Sequence, residues 1–286
     1  MWTRAGRAGR AGKAGLAGLV LLLTLGAAPK PPSSPRLYIF DCGVIKGLGV
    51  DLFGFKIGEV PARDFFVPCY LVVHPKGTLM WEAGVIPDAA FKADGAPVTQ
   101  APSTVTKPLL PQLAALGYTP ADITYLALSH YHSDHTANAN AFAGSTWLVR
   151  LAERDMMFNP PQGAIVQTAT FASLKTAKTR ILNDDEYDVF GDGTVVIKSA
   201  TGHTPGHQVL LLKLKKFGPL LIAGDLYHFP EEKTMNRVPG FDFNQDQTRA
   251  ARADIDAYLK KHKAQMWIEH DVPTNATLKK APEYYE

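Results

Sequence analysis

The chain has 286 residues, of which 46% are apolar, and this length suits one large catalytic domain rather than a disordered chain. Its formal charge of +3 at pH 7 comes from the first 28 residues, which carry four basic and no acidic side chains. Without them the chain has 26 basic and 27 acidic residues. A nearly neutral chain gives no electrostatic basis for binding nucleic acid, and we expect none among its partners.

The N-terminal segment has the order of a secretory signal peptide. Basic residues precede an apolar run from Leu16 to Leu25, and small residues follow at positions 26–28. The run is short for a membrane span, but Pro29 directly after Ala28 makes the cleavage site ambiguous and leaves an uncleaved membrane anchor open. We expect residues 1–28 to direct export to the periplasm or the medium, residues 29–35 to form a linker rich in proline and serine, and residues 36–286 to form the domain.

Cys42 and Cys69 are the two cysteines of the chain. An exported protein would allow them to form a disulfide. Each lies beside a predicted strand, so a pair of buried thiols is equally consistent with the sequence. Two separated cysteines are too few for a zinc site built from thiolates.

The predicted elements begin with a strand at residues 36–40 and a hairpin of strands at residues 69–74 and 78–82. Leucines at helical spacing predict a helix over residues 109–116, followed by an apolar strand at residues 123–128. A helix beginning within residues 136–142, a strand at 145–149 and a helix at 152–158 come next. The second half contains strands at 188–190, 194–199, 208–214, 219–223 and 265–269, with a helix at 245–262. This pattern predicts an α/β fold.

Residues 44–68 carry Phe53, Phe55, Phe65 and Phe66 among glycines and prolines, a composition that predicts a long loop or flap. Its aromatic side chains would pin it to the core, line a substrate site, or form the interface of a homodimer.

A dense cluster of polar residues, SHYHSDH at positions 129–135, follows the apolar strand 123–128. Imidazole and carboxylate are the usual ligands of zinc and other first-row metals. Because side chains alternate along an extended segment, His130 and His132 point the same way. The cluster therefore predicts a metal site at the end of a strand, where α/β folds place their chemistry.

Three further polar clusters also follow apolar strands: His203 in TGHTPGH at 201–207, Asp225 after Ala-Gly, and His270 in EHD at 269–271. Taken singly, each has an ordinary explanation as a turn cap, a helix cap or a surface residue. Together they would converge with the first cluster on one edge of a sheet system. His74, His228 and His262 lie outside this pattern.

These motifs, HxHxDH at 130–135, GHTPG at 202–206, Gly-Asp at 224–225 and His270, resemble the metallo-β-lactamase superfamily over residues 36–286. The resemblance implies a four-layer αββα sandwich and a centre of two divalent metal ions, with zinc as the expected metal. It assigns His130, His132 and His203 to the first ion, Asp134, His135 and His270 to the second, and Asp225 to both. His207 is expected to be a structural neighbour.

Within that superfamily, the bridging aspartate, GDLYHFPE at 224–231 and IEHD at 268–271 most resemble the N-acyl homoserine lactonases. That resemblance implies a quorum-quenching lactonase, a metal-dependent hydrolase that opens the lactone ring by attack of a hydroxide held between two metals. Asp134 would hold the water and pass its proton to the leaving group. His228 stands where the best-known lactonases have a tyrosine, and we predict a catalytic role for it. Glu82 would support a metal-binding histidine.

The substrate is predicted to be a lactone or a related cyclic or ester compound. Its acyl groove would come from residues 53–66 and 238–243. A periplasmic β-lactamase-like enzyme, or another ester or thioester hydrolase of the same superfamily, is the alternative. A non-catalytic, metal-binding exported protein is a third interpretation.

Overall fold

The computed structural model describes residues 1–2, 29–56, 58–61 and 63–286. The predicted signal peptide therefore lies, apart from its first two residues, outside the described residues. Within the described ranges, no helix is both long enough and apolar enough to cross a membrane.

Thirteen strands and six α-helices make up the regular structure of the described residues. The strands are β1 (Arg36–Leu48), β2 (Arg63–His74), β3 (Gly77–Trp81), β4 (Val98–Gln100), β5 (Ser103–Val105), β6 (Tyr125–Ala127), β7 (Thr146–Val149), β8 (Thr179–Ile181), β9 (Glu186–Asp188), β10 (Val195–Ser199), β11 (Gln208–Leu214), β12 (Gly218–Ile222) and β13 (Gln265–Trp267). The helices are α1 (Leu109–Ala115), α2 (Ser133–Thr136), α3 (Leu151–Phe158), α4 (Pro230–Thr234), α5 (Gln245–His262) and α6 (Val272–Thr277).

The strands form two sheets, one of eight strands in the order β4-β5-β1-β2-β3-β6-β7-β8 and one of five in the order β13-β12-β11-β10-β9. The pairs from β3 to β8 are parallel, as is the pair β12 and β13. β10 and β12 are both antiparallel to β11, so they run in the same direction. The carboxyl ends of β10, β12 and β13 therefore lie at one edge of the second sheet.

Three apolar clusters separate the layers. The first lies between the sheets, where Tyr70 and Trp81 pack with Leu210 and Leu212. The second covers the other face of the large sheet, with residues of α1 and α3 such as Leu113 and Met157. In the third, Ile255 and Tyr258 of α5 cover the outer face of the small sheet. Two sheets between two helical layers give the αββα sandwich, and the fold prediction is confirmed.

The prediction of a loop over residues 44–68 was wrong at both ends. β1 continues to Leu48, and β2 begins at Arg63. Register shifts between Asp41 and Val44 and between Ile45 and Leu48 bend β1 and disguise its alternation. Pro68 lies opposite Asp41 at the first of these irregularities, where a missing backbone donor is tolerated. Between the strands, Val50–Phe53 forms a short 3-10 helix.

The two cysteines form a disulfide, Cys42–Cys69, which joins β1 to β2 beside this irregularity. Two smaller predictions also shift. The helix after the histidine cluster starts earlier, as the short α2 at Ser133–Thr136 followed by a 3-10 turn at Ala139–Phe142. The strand expected at 188–190 lies at Glu186–Asp188, because Phe190 leaves the sheet and stacks on His74 at 4.1 Å.

Candidate metal centre

The residues predicted to bind metal meet at one edge of the two sheets. His130 to His135 follow β6, and His203 lies in the turn after β10. Asp225 lies in the 3-10 helix Gly224–Leu226 after β12, and His270 follows β13. All seven predicted ligands fall into two groups that share Asp225: His130, His132, His203 and Asp225; and Asp134, His135, His270 and Asp225.

In the first group, three imidazole nitrogens face one another. His130 Nε2 lies 2.9 Å from His132 Nδ1, and His203 Nε2 lies 3.3 Å and 3.0 Å from the same two atoms. Asp225 Oδ2 is 3.6 Å from His130 Nε2 and 3.4 Å from His203 Nε2. Ligand atoms around a tetrahedral zinc ion with bonds of about 2.05 Å lie about 3.3 Å apart. The four side chains therefore fit one divalent ion.

The second group uses the other oxygen of the same aspartate. Asp225 Oδ1 lies 3.0 Å from His270 Nε2 and 3.3 Å from His135 Nε2. Asp134 Oδ2 lies 3.5 Å and 3.6 Å from these nitrogens. His135 Nε2, His270 Nε2 and Asp225 Oδ1 are buried and make no hydrogen bond of acceptable geometry. Buried polar atoms without partners are rare, and a second divalent ion would satisfy all three.

The far nitrogens of the histidines are fixed by buried acceptors. His203 Nδ1 lies 2.9 Å from Asp242 Oδ1, and His270 Nδ1 lies 2.8 Å from the carbonyl of Phe66, both at hydrogen-bond distance. His135 Nδ1 makes an electrostatic contact without a hydrogen bond, 3.2 Å from Glu82 Oε2. A histidine that donates from Nδ1 presents the lone pair of Nε2, which is the form that binds metal. Glu82 has a φ of 66°, in the left-handed region, which is strained for a residue other than glycine. Such strain is typical of functional sites.

The pKa values divide the histidines by the charge around them. Burial lowers the pKa of His203 and of His132 to about 3, and of His130 well below 6.5, so these rings are neutral. Burial also opposes a charge on His135, but the carboxylates of Asp225, Asp134 and Glu82 raise its pKa well above 6.5. The second group is thus a place that attracts positive charge.

Two glycines allow the ligand turns to close. Gly202 has a φ of +137°, and a Cβ there would lie 2.2 Å from the backbone nitrogen of Thr248, at the start of α5. Gly224 has a φ of +52°, and its Cβ would lie 2.7 Å from His207 Nε2. Only glycine combines a left-handed conformation with so close an approach. Close packing therefore explains why a glycine directly precedes His203 and Asp225 in their motifs.

His207 lies outside both groups. Its Nδ1–H donates to the carbonyl of Ala200 at 3.0 Å, and its Nε2 accepts the backbone N–H of Asp225 at 3.0 Å. Burial lowers the pKa of His207 to about 3, which keeps the ring neutral as this pairing requires. The contact with Ala200 therefore orients the ring of His207, and its Nε2 holds the backbone of Asp225.

His228 joins the centre from the side of the cavity. Its Nε2 lies 3.2 Å from Asp225 Oδ2, and its Nδ1 lies 2.9 Å from Glu232 Oε1, which in turn is held by Arg252 at Oε2. Although burial opposes it, Glu232 and Asp225 raise the pKa of His228 to about 10. The neighbouring Tyr227 packs 4.1 Å from the Arg252 guanidinium and is absent from the described wall of the cavity.

A cavity of about 360 Å³ opens onto the two groups. Its polar floor includes Asp134, Asp225 and His228, and its apolar wall comes from Phe53, Phe65 and other residues. The remaining lining residues are Ile45, Leu48, Leu52, Tyr131, His132, Ser133, Ile165, Gln167 and Phe241. The predicted aromatic segments thus contribute Phe53, Phe65 and Phe241.

The sequence analysis missed some residues of the site or gave them a different role. Asp242 lies in a segment predicted to be acyl groove, but its carboxylate holds His203. Ile165 and Gln167 line the cavity from a segment that has no motif. Glu153 accepts hydrogen bonds from two ligand loops. No local pattern marks such residues, because their partners lie far away in the chain.

Comparisons with known proteins agree with this geometry. The family model described as "Metallo-beta-lactamase superfamily" matches residues 62–263. The N-acyl homoserine lactonase AttM of Rhizobium radiobacter is 30% identical over 261 residues, covering 87% of this chain and 98% of the relative. A Bacillus sp. N-acyl homoserine lactonase is 28% identical over 236 residues, covering 77% and 87%.

Solved structures show the same fold. The crystal structure of a quorum-quenching N-acyl homoserine lactone lactonase aligns with a TM-score of 0.73 at 22% identity, over 89% of this chain and 99% of that chain. AidC, a dizinc quorum-quenching lactonase with bound product, aligns with a TM-score of 0.65 at 20% identity, over 90% and 95%. With the ligand geometry and the family match, this chain belongs to the metallo-β-lactamase superfamily and is a metal-dependent hydrolase.

Proposed function

We propose that this protein hydrolyses the lactone ring of N-acyl homoserine lactones. The observation that carries the proposal is the cavity, in which an apolar wall stands directly beside the two ligand groups. Such a cavity suits a substrate with a small polar ring and an apolar acyl chain. The similarity to AttM over 98% of that lactonase supports the same substrate class.

Two divalent ions, which we propose to be zinc, would supply the activation of a water molecule and the polarisation of the lactone carbonyl. His130, His132, His203 and Asp225 would hold one of them. Asp134, His135, His270 and Asp225 would hold the other. Nitrogen and carboxylate oxygen are a donor set that zinc accepts well.

Asp134 is the ligand carboxylate suited to moving a proton, because it lines the cavity and its side chain is 16% exposed, against 5% for Asp225. Its carboxylate would take a proton from the attacking water. As the bond between the carbonyl carbon and the ring oxygen breaks, Asp134 would return that proton to the ring oxygen. The product is the open N-acyl hydroxy acid.

His228 would act from the other side of the floor. Glu232 holds its Nδ1, so Nε2 is the atom that faces Asp225 and the cavity. A hydrogen bond donated from Nε2 would orient the substrate carbonyl and stabilise the negative charge that develops on it. This geometry favours a catalytic role for His228, at the position where the best-known lactonases have a tyrosine.

We also propose that the protein works outside the cytoplasm. Residues 1–28 have the composition of an export signal. The disulfide between Cys42 and Cys69 supports an oxidising compartment, because such bonds are rare in reducing ones.

The test is a substrate panel applied to residues 29–286 loaded with zinc. N-acyl homoserine lactones with short and long acyl chains are compared with a chromogenic cephalosporin and a thioester. We expect ring opening of the lactones and about two zinc ions in each chain. Rapid cephalosporin or thioester hydrolysis with inert lactones would overturn the proposal and favour the alternative hydrolase.

A further inference from the structure

Glu153 is a buried carboxylate outside both ligand groups. It lies in α3 and is 3% exposed. Its Oε1 accepts the backbone N–H of Tyr131 at 2.8 Å. Its Oε2 accepts the hydroxyl of Thr204 at 2.8 Å and the backbone N–H of Gly206 at 2.7 Å. One side chain therefore receives three hydrogen bonds from two separate loops.

The two loops are those that supply the histidines of the first group. Tyr131 lies between His130 and His132, and Thr204 directly follows His203. The carboxylate of Glu153 thus fixes the distance between the loop of residues 130–132 and the loop of residues 203–206. No comparable link reaches the second group from Glu153 among the described residues.

Burial of this carboxylate has an energetic cost. No basic side chain forms an ion pair with Glu153 in the described part of the chain, so its charge is buried with only neutral donors. Burial accordingly raises its pKa to about 7. Position 206 must also be glycine, because a Cβ there would lie 2.6 Å from Glu153 Cβ and 2.7 Å from its backbone nitrogen. The close approach at position 206 involves only the Cβ and backbone of residue 153, so it shows how tightly α3 packs against this loop. The buried charge is the feature that a residue with only a packing role would not require.

We propose that Glu153 is a positioning residue for the first metal group, which holds His130 and His132 at the separation from His203 that one shared ion requires. The inference rests on the two-metal centre of the proposed function and is independent of the substrate. Substitution of a residue that orients metal ligands typically lowers metal affinity by about 10-fold to 100-fold. Asp242 orients a histidine by bonding to its ring nitrogen, whereas Glu153 holds two loops at a fixed spacing.

The variant that tests this is Glu153→Gln. The amide nitrogen that replaces one oxygen donates rather than accepts, so it cannot take the hydrogen bonds of both loops. The matched control is Asp188→Asn. Asp188 also accepts hydrogen bonds from three backbone N–H groups, those of Phe190, Gly191 and Gly193. It lies far from the metal groups, because it pairs with Val196 near the start of β10, whereas His203 follows the end of that strand.

The measurement is a zinc titration of the metal-free proteins against a competing chromophoric chelator, with no substrate present. We expect two tight ions in the wild type and in Asp188→Asn. In Glu153→Gln, one ion should bind about 10-fold to 100-fold more weakly while the other is unchanged. NMR of nitrogen-15-labelled histidines should show that the rings losing their zinc-induced shifts are those of His130, His132 and His203.

Two tight ions in Glu153→Gln, or equal weakening of both ions, would overturn the proposal. If this variant does not fold, Thr204→Val removes one of the three donors and leaves the carboxylate, and it should weaken the same ion by a smaller factor. An unchanged titration of Thr204→Val would then contradict the proposal. Because no lactone is used, a failure here is distinguishable from a failure to find lactonase activity.

Discussion

The floor of the cavity and its apolar wall differ in how they are held. On the floor, the ligand histidines are fixed by buried polar contacts, as between His203 and Asp242. On the wall, Phe53 and Phe65 pack on each other at 5.2 Å, and Leu52 is 48% exposed. Five of the wall's apolar residues lie in the segment closed by the Cys42–Cys69 disulfide, and Ile165 and Phe241 come from elsewhere in the chain. Under the proposed function, a floor built from directional contacts would fix the reaction, whereas a wall of apolar contacts would select the acyl chain.

The largest effect should follow from Asp225→Asn, because each oxygen of this carboxylate serves a different ligand group. The amide removes the shared negative charge and one acceptor. We expect loss of at least one metal ion and a decrease in lactone hydrolysis of about 1000-fold or more. Metal emission spectrometry and a hydrolysis assay on the same sample would check this. Full activity in a preparation shown to be metal-free would contradict the assignment of the floor.

His228→Ala should keep both ions and lose turnover. The ring is held by Glu232 and lines the cavity, but it belongs to neither ligand group. Removal of a positioned donor should lower kcat by about 100-fold. His262→Ala provides the control, since this ring lies on α5 away from the cavity. A variant that loses zinc as well would show that His228 is a metal ligand.

The same difference explains what the sequence could predict. The convergence of the seven predicted ligands was predictable because short motifs place each of them at the end of a strand, and the structure brings these side chains together. The wall was harder, since the irregularities of β1 hide its alternation and Leu48 was assigned to a loop. Glu153 and Asp242 were not predictable as supports, because the loop residues that Glu153 holds lie 22 to 53 positions away and His203 lies 39 positions from Asp242. Local periodicity carries no information about such contacts.

Removal of the disulfide should affect stability far more than turnover. Cys42 and Cys69 are 27 positions apart, and a disulfide that closes a loop of this length contributes about 3.5 kcal/mol to the free energy of unfolding. Urea unfolding of the metal-free Cys42→Ala, Cys69→Ala double variant would measure the loss. We expect kcat to change only a few-fold, because the loop touches the centre mainly through the carbonyl of Phe66. A decrease in kcat comparable to that of His228→Ala would mean that the disulfide positions the floor as well.

The smallest effect should come from Phe241→Ala, which removes one apolar side chain from the wall and no hydrogen-bonding group. Phe241 lines the cavity, is 46% exposed and packs edge-on against Phe53 at 5.5 Å. Contact with a long acyl chain should be worth about 1 kcal/mol, which corresponds to about a fivefold increase in KM. Phe243→Ala is the matched control, since Phe243 is 56% exposed and lies outside the cavity lining. A short-chain lactone should show a smaller difference among the three proteins, because its chain covers less of the wall. An equal increase in KM for short and long chains would place the contact of Phe241 at the ring rather than at the acyl chain.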